Sequence, residues 1–140
     1  MKIYNGENMI LGRLAAVVAK DALLGEDVVV INCEKIVISG RKSNTFAREL
    51  QRRKRKGYPL KSQARSRLPD RFVRRGIRGM LPWKSARGRE AFKKIMCYIG
   101  TPKNVELKEV ITIPTASAAK LPTLKRTTVG EVCTQLGGKA

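Results

Sequence analysis

The run Val28-Val29-Val30-Ile31 is β-branched at every position and has no polar side to turn toward water. Such a segment fits a strand covered on both faces, the usual situation in a parallel sheet. Parallel neighbours cannot be joined by a tight turn and need a crossover, most often a helix. The chain supplies one just upstream, where Leu14, Ala15, Val18 and Ala22 fall at i, i+1, i+4 and i+8 and the stripe ends near Gly25. Met9-Ile10-Leu11 precedes it as the expected first strand, which completes a βαβ unit. A further strand is expected at Ile36-Val37-Ile38-Ser39, closing at Gly40, after the polar connection Asn32-Cys33-Glu34-Lys35. Near the other end, Val110-Ile111-Thr112-Ile113 is strand-like and stops at Pro114, followed by a small-residue connection over 116–121. Thr128-Val129-Gly130-Glu131 fits the S/T-x-x-E capping box and opens a helix with Val132 and Leu136 on one side and Gly137 at its end.

Charge divides the same chain differently. Its 140 residues hold 30 Lys+Arg against 11 Asp+Glu, a formal net charge of +19. Residues 1–40 carry 4 basic and 5 acidic groups, residues 41–94 carry 20 and 3, and residues 95–140 carry 6 and 3. Nearly the whole excess therefore sits in the middle region, between flanks that read as a folding scaffold. An anionic partner must neutralise it, and a nucleic acid offers a continuous row of phosphates, which membranes and acidic proteins do not match.

Apolar residues at helical spacing argue that this middle region is folded rather than a disordered basic tail. Over residues 41–56, Arg41, Thr45, Arg48, Arg52 and Arg55 fall in one narrow sector at about 100° per residue, with Ser43, Phe46, Ala47 and Leu50 across from them. The second group is expected to pack and the first to face phosphate. Gly57-Tyr58-Pro59 ends that helix, and the segment through Pro69 is expected to be a polar basic loop containing Lys61, Arg65 and Arg67. Asp70 is placed to cap the next helix, in which Arg71, Arg74, Arg75 and Arg78 recur at i, i+3, i+4 and i+7 opposite Val73, Ile77, Met80 and Leu81. Gly88, Ala91, Phe92, Ile95 and Ile99 form a third apolar stripe, with Arg87, Arg89, Lys93 and Lys94 outside it. Arginine predominates in the first two helices, and its planar fork suits bidentate phosphate contact and stacking on bases. Phe72 and Phe92 are expected in the core. Tyr58 and Trp83, beside prolines in loops, either stack on RNA or pack on a neighbour.

Other chemistries find little support. Cys33, Cys97 and Cys133 are odd in number and far apart, and the chain has no histidine, so neither a disulfide framework nor a zinc site is expected. The thiols read as small buried or half-buried hydrophobes. Gly12 opens a helix without G-x-G-x-x-G or G-x-x-x-x-G-K-[ST], so no nucleotide cofactor is expected. There is no RNP-type aromatic sheet and no convincing KH clamp, Gly76-Ile77-Arg78-Gly79 included. No stretch of about 18 apolar residues is present to span a membrane, and the opening Met1-Lys2-Ile3-Tyr4-Asn5-Gly6-Glu7 is not a signal peptide, so an intracellular protein is expected.

Several of these residues together resemble the universal large-subunit ribosomal protein thirteen family. The run Arg78-Gly79-Met80-Leu81-Pro82, then Lys84, Gly88 and Ala91, then Gly100 and Pro102, follows its signature. Gly12-Arg13-Leu14-Ala15, residues 28–32 and residues 36–40 stand in the family's order. The short N-terminus and modest C-terminal part look archaeal, and Trp83 stands where many relatives carry histidine. The resemblance implies one domain over 1–140, a three-layer α/β/α fold around a small, mostly parallel four-stranded sheet, carrying basic helical and loop extensions. It also implies a non-enzymatic, cytoplasmic constituent of the large ribosomal subunit, active in early assembly, with large-subunit ribosomal RNA and neighbouring ribosomal proteins as partners. No small-molecule substrate, cofactor or metal is implied. The RNA-facing residues are then expected among Arg41, Arg48, Arg52, Arg53, Lys54, Arg55, Lys56, Lys61, Arg65, Arg67, Arg71, Arg74, Arg75, Arg78, Lys84, Arg87 and Arg89.

The rival classes are a DNA-compacting protein, which charge alone does not separate from an RNA binder, and an enzyme acting on nucleic acid. Hydrolysis or transfer needs clustered carboxylates, a histidine or an activated nucleophile, whereas the basic region has only Glu49, Asp70 and Glu90, spread apart. Purified protein should accordingly show no metal-dependent nuclease, methyltransferase or nucleotide-hydrolysing activity. Turnover that co-purifies with the chain and disappears on replacing Asp70 or Glu90 would refute this.

Overall fold

In the computed structural model, which describes residues 1–55, 66–102 and 109–138, Val28–Ile31 forms β2, buried at all four positions. On one side it pairs in parallel with β1, Lys2–Asn5, in the register Ile3↔Val29 and Tyr4↔Val30. On the other it pairs in parallel with β4, Ile95–Cys97, which aligns Val28 with Ile95. β5, Val110–Ile111, extends the far edge of β1, so the four-stranded parallel sheet runs β4-β2-β1-β5. The crossover from β1 to β2 is α1, Leu11–Leu23, with Leu14, Ala15, Val18, Ala19 and Ala22 buried along the expected stripe. The remaining elements, in chain order, are β3 at Val37–Ser39, α2 at Lys42–Lys54, α3 at Pro69–Arg78, α4 at Ala86–Lys93, β6 at Arg126–Thr128 and α5 at Val129–Gln135. No helix among the described residues is long and apolar enough to cross a membrane.

Alternation along the strands gives the sheet two apolar faces. Tyr4, Val28, Val30, Ile95 and Cys97 belong to the main core with Leu14 and Val18 of α1, Val73 and Ile77 of α3, Ala91 of α4 and Val129 and Cys133 of α5. Ile3, Val29 and Ile31 form a second, smaller cluster with Tyr98 against it. β3 lies outside this sheet and pairs antiparallel with β6 in the register Val37↔Thr128.

The first strand is not where the apolar run Met9-Ile10-Leu11 places it. Asn8 adopts a left-handed backbone, φ 54, which breaks the run's continuity with β1. Met9 and Ile10 then make only single bridges, to Ser117 and Val37, and Leu11 already belongs to α1. The third apolar stripe is also divided. α4 stops at Lys93, and Ile95, read as its continuation, is a buried residue of β4, while Ile99 is exposed. Three successive positions, Ile95, Met96 and Cys97, find a ladder on β2, and that pairing outweighs helical spacing. Asp70 does not cap α3. Leu68 holds the N-cap position with extended backbone, as residues before proline do, Pro69 takes the first turn, and Asp70 follows it. The capping box at α5 is present in full, with Thr128 Oγ1 accepting from the Glu131 N–H at 3.2 Å and Glu131 Oε2 accepting from the Thr128 N–H at 3.3 Å.

One polar group is embedded where the sequence pattern shows none. Asp21, near the end of α1, is 9% exposed and accepts from the Tyr4 hydroxyl and from Lys2 Nζ at 3.2 Å, which ties α1 to β1. Burial, and then the hydrogen bond to Asp21, raise the Tyr4 phenol above its ordinary range.

All three cysteines are free and buried. The contact with Cys97, and next burial, raise the Cys33 thiol. The Cys133 thiol is pushed from 9.0 to about 11, by burial first and then by the negative charges of Asp70 and Glu49. A thiol with a raised value keeps its proton in the folded chain after the unfolded chain has released it. Stability should therefore be undiminished below pH 9.0 on this account and fall as pH rises toward about 11. Thermal melts across that window check this, and Cys133→Ala should flatten part of the slope.

Candidate nucleic-acid interface

The basic region is mounted on the core chiefly by α3. Val73 and Ile77 of this helix are fully buried, while Arg71 is exposed and Arg74, Arg75 and Arg78 are half-buried around it. Two of these arginines lie on aromatic faces. The Arg74 guanidinium is 4.6 Å from the Phe92 ring centroid and Arg78 is 4.7 Å from that of Trp83, and the two rings meet edge to face at 5.2 Å. An interaction of this kind is worth roughly 0.5–1 kcal/mol at exposed sites and more when desolvated. Trp83 thus packs on its neighbours through the ring while remaining 40% exposed. Tyr58, with Lys56, Lys61, Arg65 and the Gly57-Tyr58-Pro59 helix stop, lies outside the described residues.

The turn between α3 and α4 is held by close backbone approach. Ser85 caps α4, its Oγ accepting from the Gly88 N–H at 3.2 Å and donating to the Pro82 carbonyl at 2.8 Å. A Cβ at Gly88 would lie 2.1 Å from that same carbonyl oxygen, so only glycine fits there. This fixes the turn that holds Trp83 beside Arg78 of α3.

In α2 the faces differ from the sequence reading. Thr45 and Glu49 are its buried residues, whereas Ser43, Ala47 and Leu50, expected to pack, are exposed and Phe46 is half-buried. The helix is too poor in large apolar side chains for them to set its orientation. It is held instead by polar links. Within the helix, Glu49 Oε1 accepts from Arg52 at 2.8 Å and lies 3.6 Å from Arg48 Nε, and the links to the rest of the fold come from the two ends of α2. Arg53 donates to the Leu136 carbonyl at the end of α5, and Lys42 pairs with Glu131 at 3.1 Å. Glu49 is 3% exposed. Its spacing to Arg48 and Arg52, at i−1 and i+3, was the available signal.

The basic side chains therefore fall into two groups. Arg52, Arg53, Arg74 and Arg78 are committed to partners inside the protein. Arg67 donates to the Gly137 carbonyl at 3.4 Å and Arg87 to the Leu23 carbonyl at 3.3 Å. Arg41, Lys54, Arg55, Arg71, Lys84 and Arg89 are exposed, and their side chains make no hydrogen bond or ion pair among the described residues. Arg48 and Arg52 of α2 and Arg75 of α3 meet around a hollow of about 160 Å³, which joins the two helices into one basic surface.

The family profile for Ribosomal protein L13 matches residues 1–104. The chain belongs to the ribosomal protein L13 family. It is 46% identical over 142 residues to the large ribosomal subunit protein uL13 of Methanococcus maripaludis, covering 99% of both chains. Against the protein of that name from Methanopyrus kandleri, identity is 45% over 137 residues, 96% of this chain and 86% of the other. Against that of Methanosarcina barkeri it is 39% over 140 residues, 99% of each. These relatives are archaeal, in line with the resemblance noted above. Membership of the L13 family makes this a structural ribosomal protein and not an enzyme.

The polar anchoring of α2 has a consequence for stability. Arg52→Glu places a second carboxylate beside buried Glu49 and removes its nearest cation, and breaking a buried pair in this way costs about 3–5 kcal/mol. Because Arg52 itself is 41% exposed, the lower end or less is expected. Arg71→Glu, on the solvent side of α3, should stay within about 0.5 kcal/mol. Denaturant melts of the two variants separate these outcomes, and equal midpoints would refute the assignment.

Proposed function

We propose that this chain is a structural constituent of the large ribosomal subunit that binds large-subunit ribosomal RNA through the surface formed by α2, α3 and α4. In doing so it supports early subunit assembly and hence translation in the cytoplasm. The observation that carries this is the set of exposed cations without internal side-chain partners among the described residues, Arg41, Lys54, Arg55, Arg71, Lys84 and Arg89, displayed on α2, α3 and α4 and on the residues that flank them. Lys56, Lys61 and Arg65 add to the same charge in sequence. The fold of residues 1–140 acts as one domain in which the sheet and α1 serve as scaffold and region 41–94 serves as footprint, with neighbouring ribosomal proteins as further partners.

Phosphate contact is the chemistry such a surface performs. Each neutralised phosphate releases counterions, which makes affinity fall with salt by a slope of about 0.7–0.9 per contact. Arginines already lying on aromatic rings have little rotamer freedom left to lose when their outer N–H groups meet a phosphate. Arg74 and Arg78 support the surface in this way as well as adding charge to it.

The test uses side chains that can be reversed without touching those stacks. A variant carrying Arg71→Glu, Lys84→Glu and Arg89→Glu should fold, by circular dichroism and melting temperature, yet be strongly under-represented in large subunits when co-expressed with the unaltered chain. Its partial complexes should dissociate at lower salt. Equal incorporation at physiological and raised salt would show that this surface faces solvent.

A further inference from the structure

We propose that the hollow between α2 and α3 is a pocket for one splayed-out base of the bound RNA, and that it takes an amino-bearing base, adenine, cytosine or guanine, in preference to uracil. This rests on the RNA-binding reading above and sharpens it from phosphate contact to base selection.

Three features of the hollow carry the inference. Its apolar lining is Leu11, Ile38 and Phe72, each half-buried against the core, and among the described residues the Phe72 ring makes none of the ring contacts that occupy Phe92 and Trp83. Its basic lining is Arg48, Arg52 and Arg75, the point where the cations of α2 and α3 converge. Between them sits Glu49. Its Oε1 is held by arginine, but its Oε2 is buried and accepts no hydrogen bond among the described residues.

A buried acceptor left without a donor costs free energy, more so when it is charged. A ligand that reaches it must bring an N–H, and to sit among arginines it must tolerate or carry negative charge. A nucleotide within an RNA strand does both. Unstacked bases are recognised by stacking on aromatic rings or guanidinium planes and by hydrogen bonds to their edges. The exocyclic amino groups of adenine, cytosine and guanine are donors suited to a single carboxylate oxygen. Uracil has no amino group, and its one edge N–H is flanked by carbonyls that would face the carboxylate. At about 160 Å³ the space accommodates one ring system rather than a larger ligand. It also stays open at Gly76, where an added Cβ would meet nothing within 4 Å.

Gly76 provides a variant that closes the hollow without cutting into the core. It lies within α3, where leucine is a better helix former than glycine by several tenths of a kcal/mol or more, so Gly76→Leu should fold at least as well as the parent. Glu49→Gln removes the charge while keeping the shape, and its melting temperature reports whether α2 remains docked. The experiment measures fluorescence anisotropy of the full chain with short oligouridines carrying one central adenine, cytosine, guanine or uracil. The three amino-bearing RNAs should bind about five-fold or more tightly than all-uridine RNA. That ratio should collapse toward one in Gly76→Leu and in folded Glu49→Gln. Equal affinity for all four RNAs, or a preference that survives Gly76→Leu, would overturn the pocket while leaving phosphate binding intact. Absence of any RNA binding would overturn the underlying reading as well. Cytidine monophosphate serves as competitor, and if it matches the oligonucleotide in affinity the ligand is a free nucleotide and the RNA-base proposal falls.

Discussion

The burial of Val73 and Ile77 is what makes the basic surface a surface. Both side chains are fully enclosed, in a core that also holds Leu14 and Val18 of α1, Ile95 of β4 and Val129 of α5. Four arginines on a ten-residue helix repel one another and gain nothing from local pairing, so α3 has no reason to persist alone. Two inserted side chains, each worth roughly 1.5–3 kcal/mol of burial, hold it against the sheet layer. The Trp83 turn beyond α3 rests on that anchorage through Arg78, while α4 has contacts of its own with α1 and β4.

How far this was legible in the sequence depended on what holds each element. Where apolar burial decides, as in α1, β2 and α3, the apolar pattern named the inward residues, except that Met80, read on the apolar side of α3, lies beyond the helix and is exposed. Where a local hydrogen-bond motif decides, as at the capping box of α5, four letters sufficed. β1 was missed because Lys2-Ile3-Tyr4-Asn5 has only two apolar residues, and its place comes from a ladder with residues far along the chain. Ile95 was misread because helical spacing and strand composition coincide over a short run, and only the partner strand arbitrates.

The interface divided along the same line. Exposed cations on α3 and α4 were named from spacing alone, since their buried counterparts are unmistakably apolar. In α2 the inward residues are Thr45 and Glu49, and no hydrophobic scale points them inward. The orientation there depends on Arg53 reaching the carbonyl of Leu136 and on Glu49 gathering arginines, contacts between a helix and the far end of the chain or within its own turn. Sequence position says that these residues are charged, but not that they are spent internally.

That dependence on the far end bears on the order of synthesis. α5 is made after the other described helices, yet it packs against both α2 and α3, and β6 must be made before β3 has a ladder beyond the single bridge from Ile10 to Val37. Beyond it, Gly138 lies so near the residue 67 backbone that an added Cβ would be 2.2 Å from that carbonyl oxygen. A chain emerging from the translating ribosome therefore presents its cationic middle with α1 already made but before β6 and α5, which also brace it, exist. During that interval the segment is a partly braced polycation among RNA, and the residues of β6 and α5 complete its shaped surface.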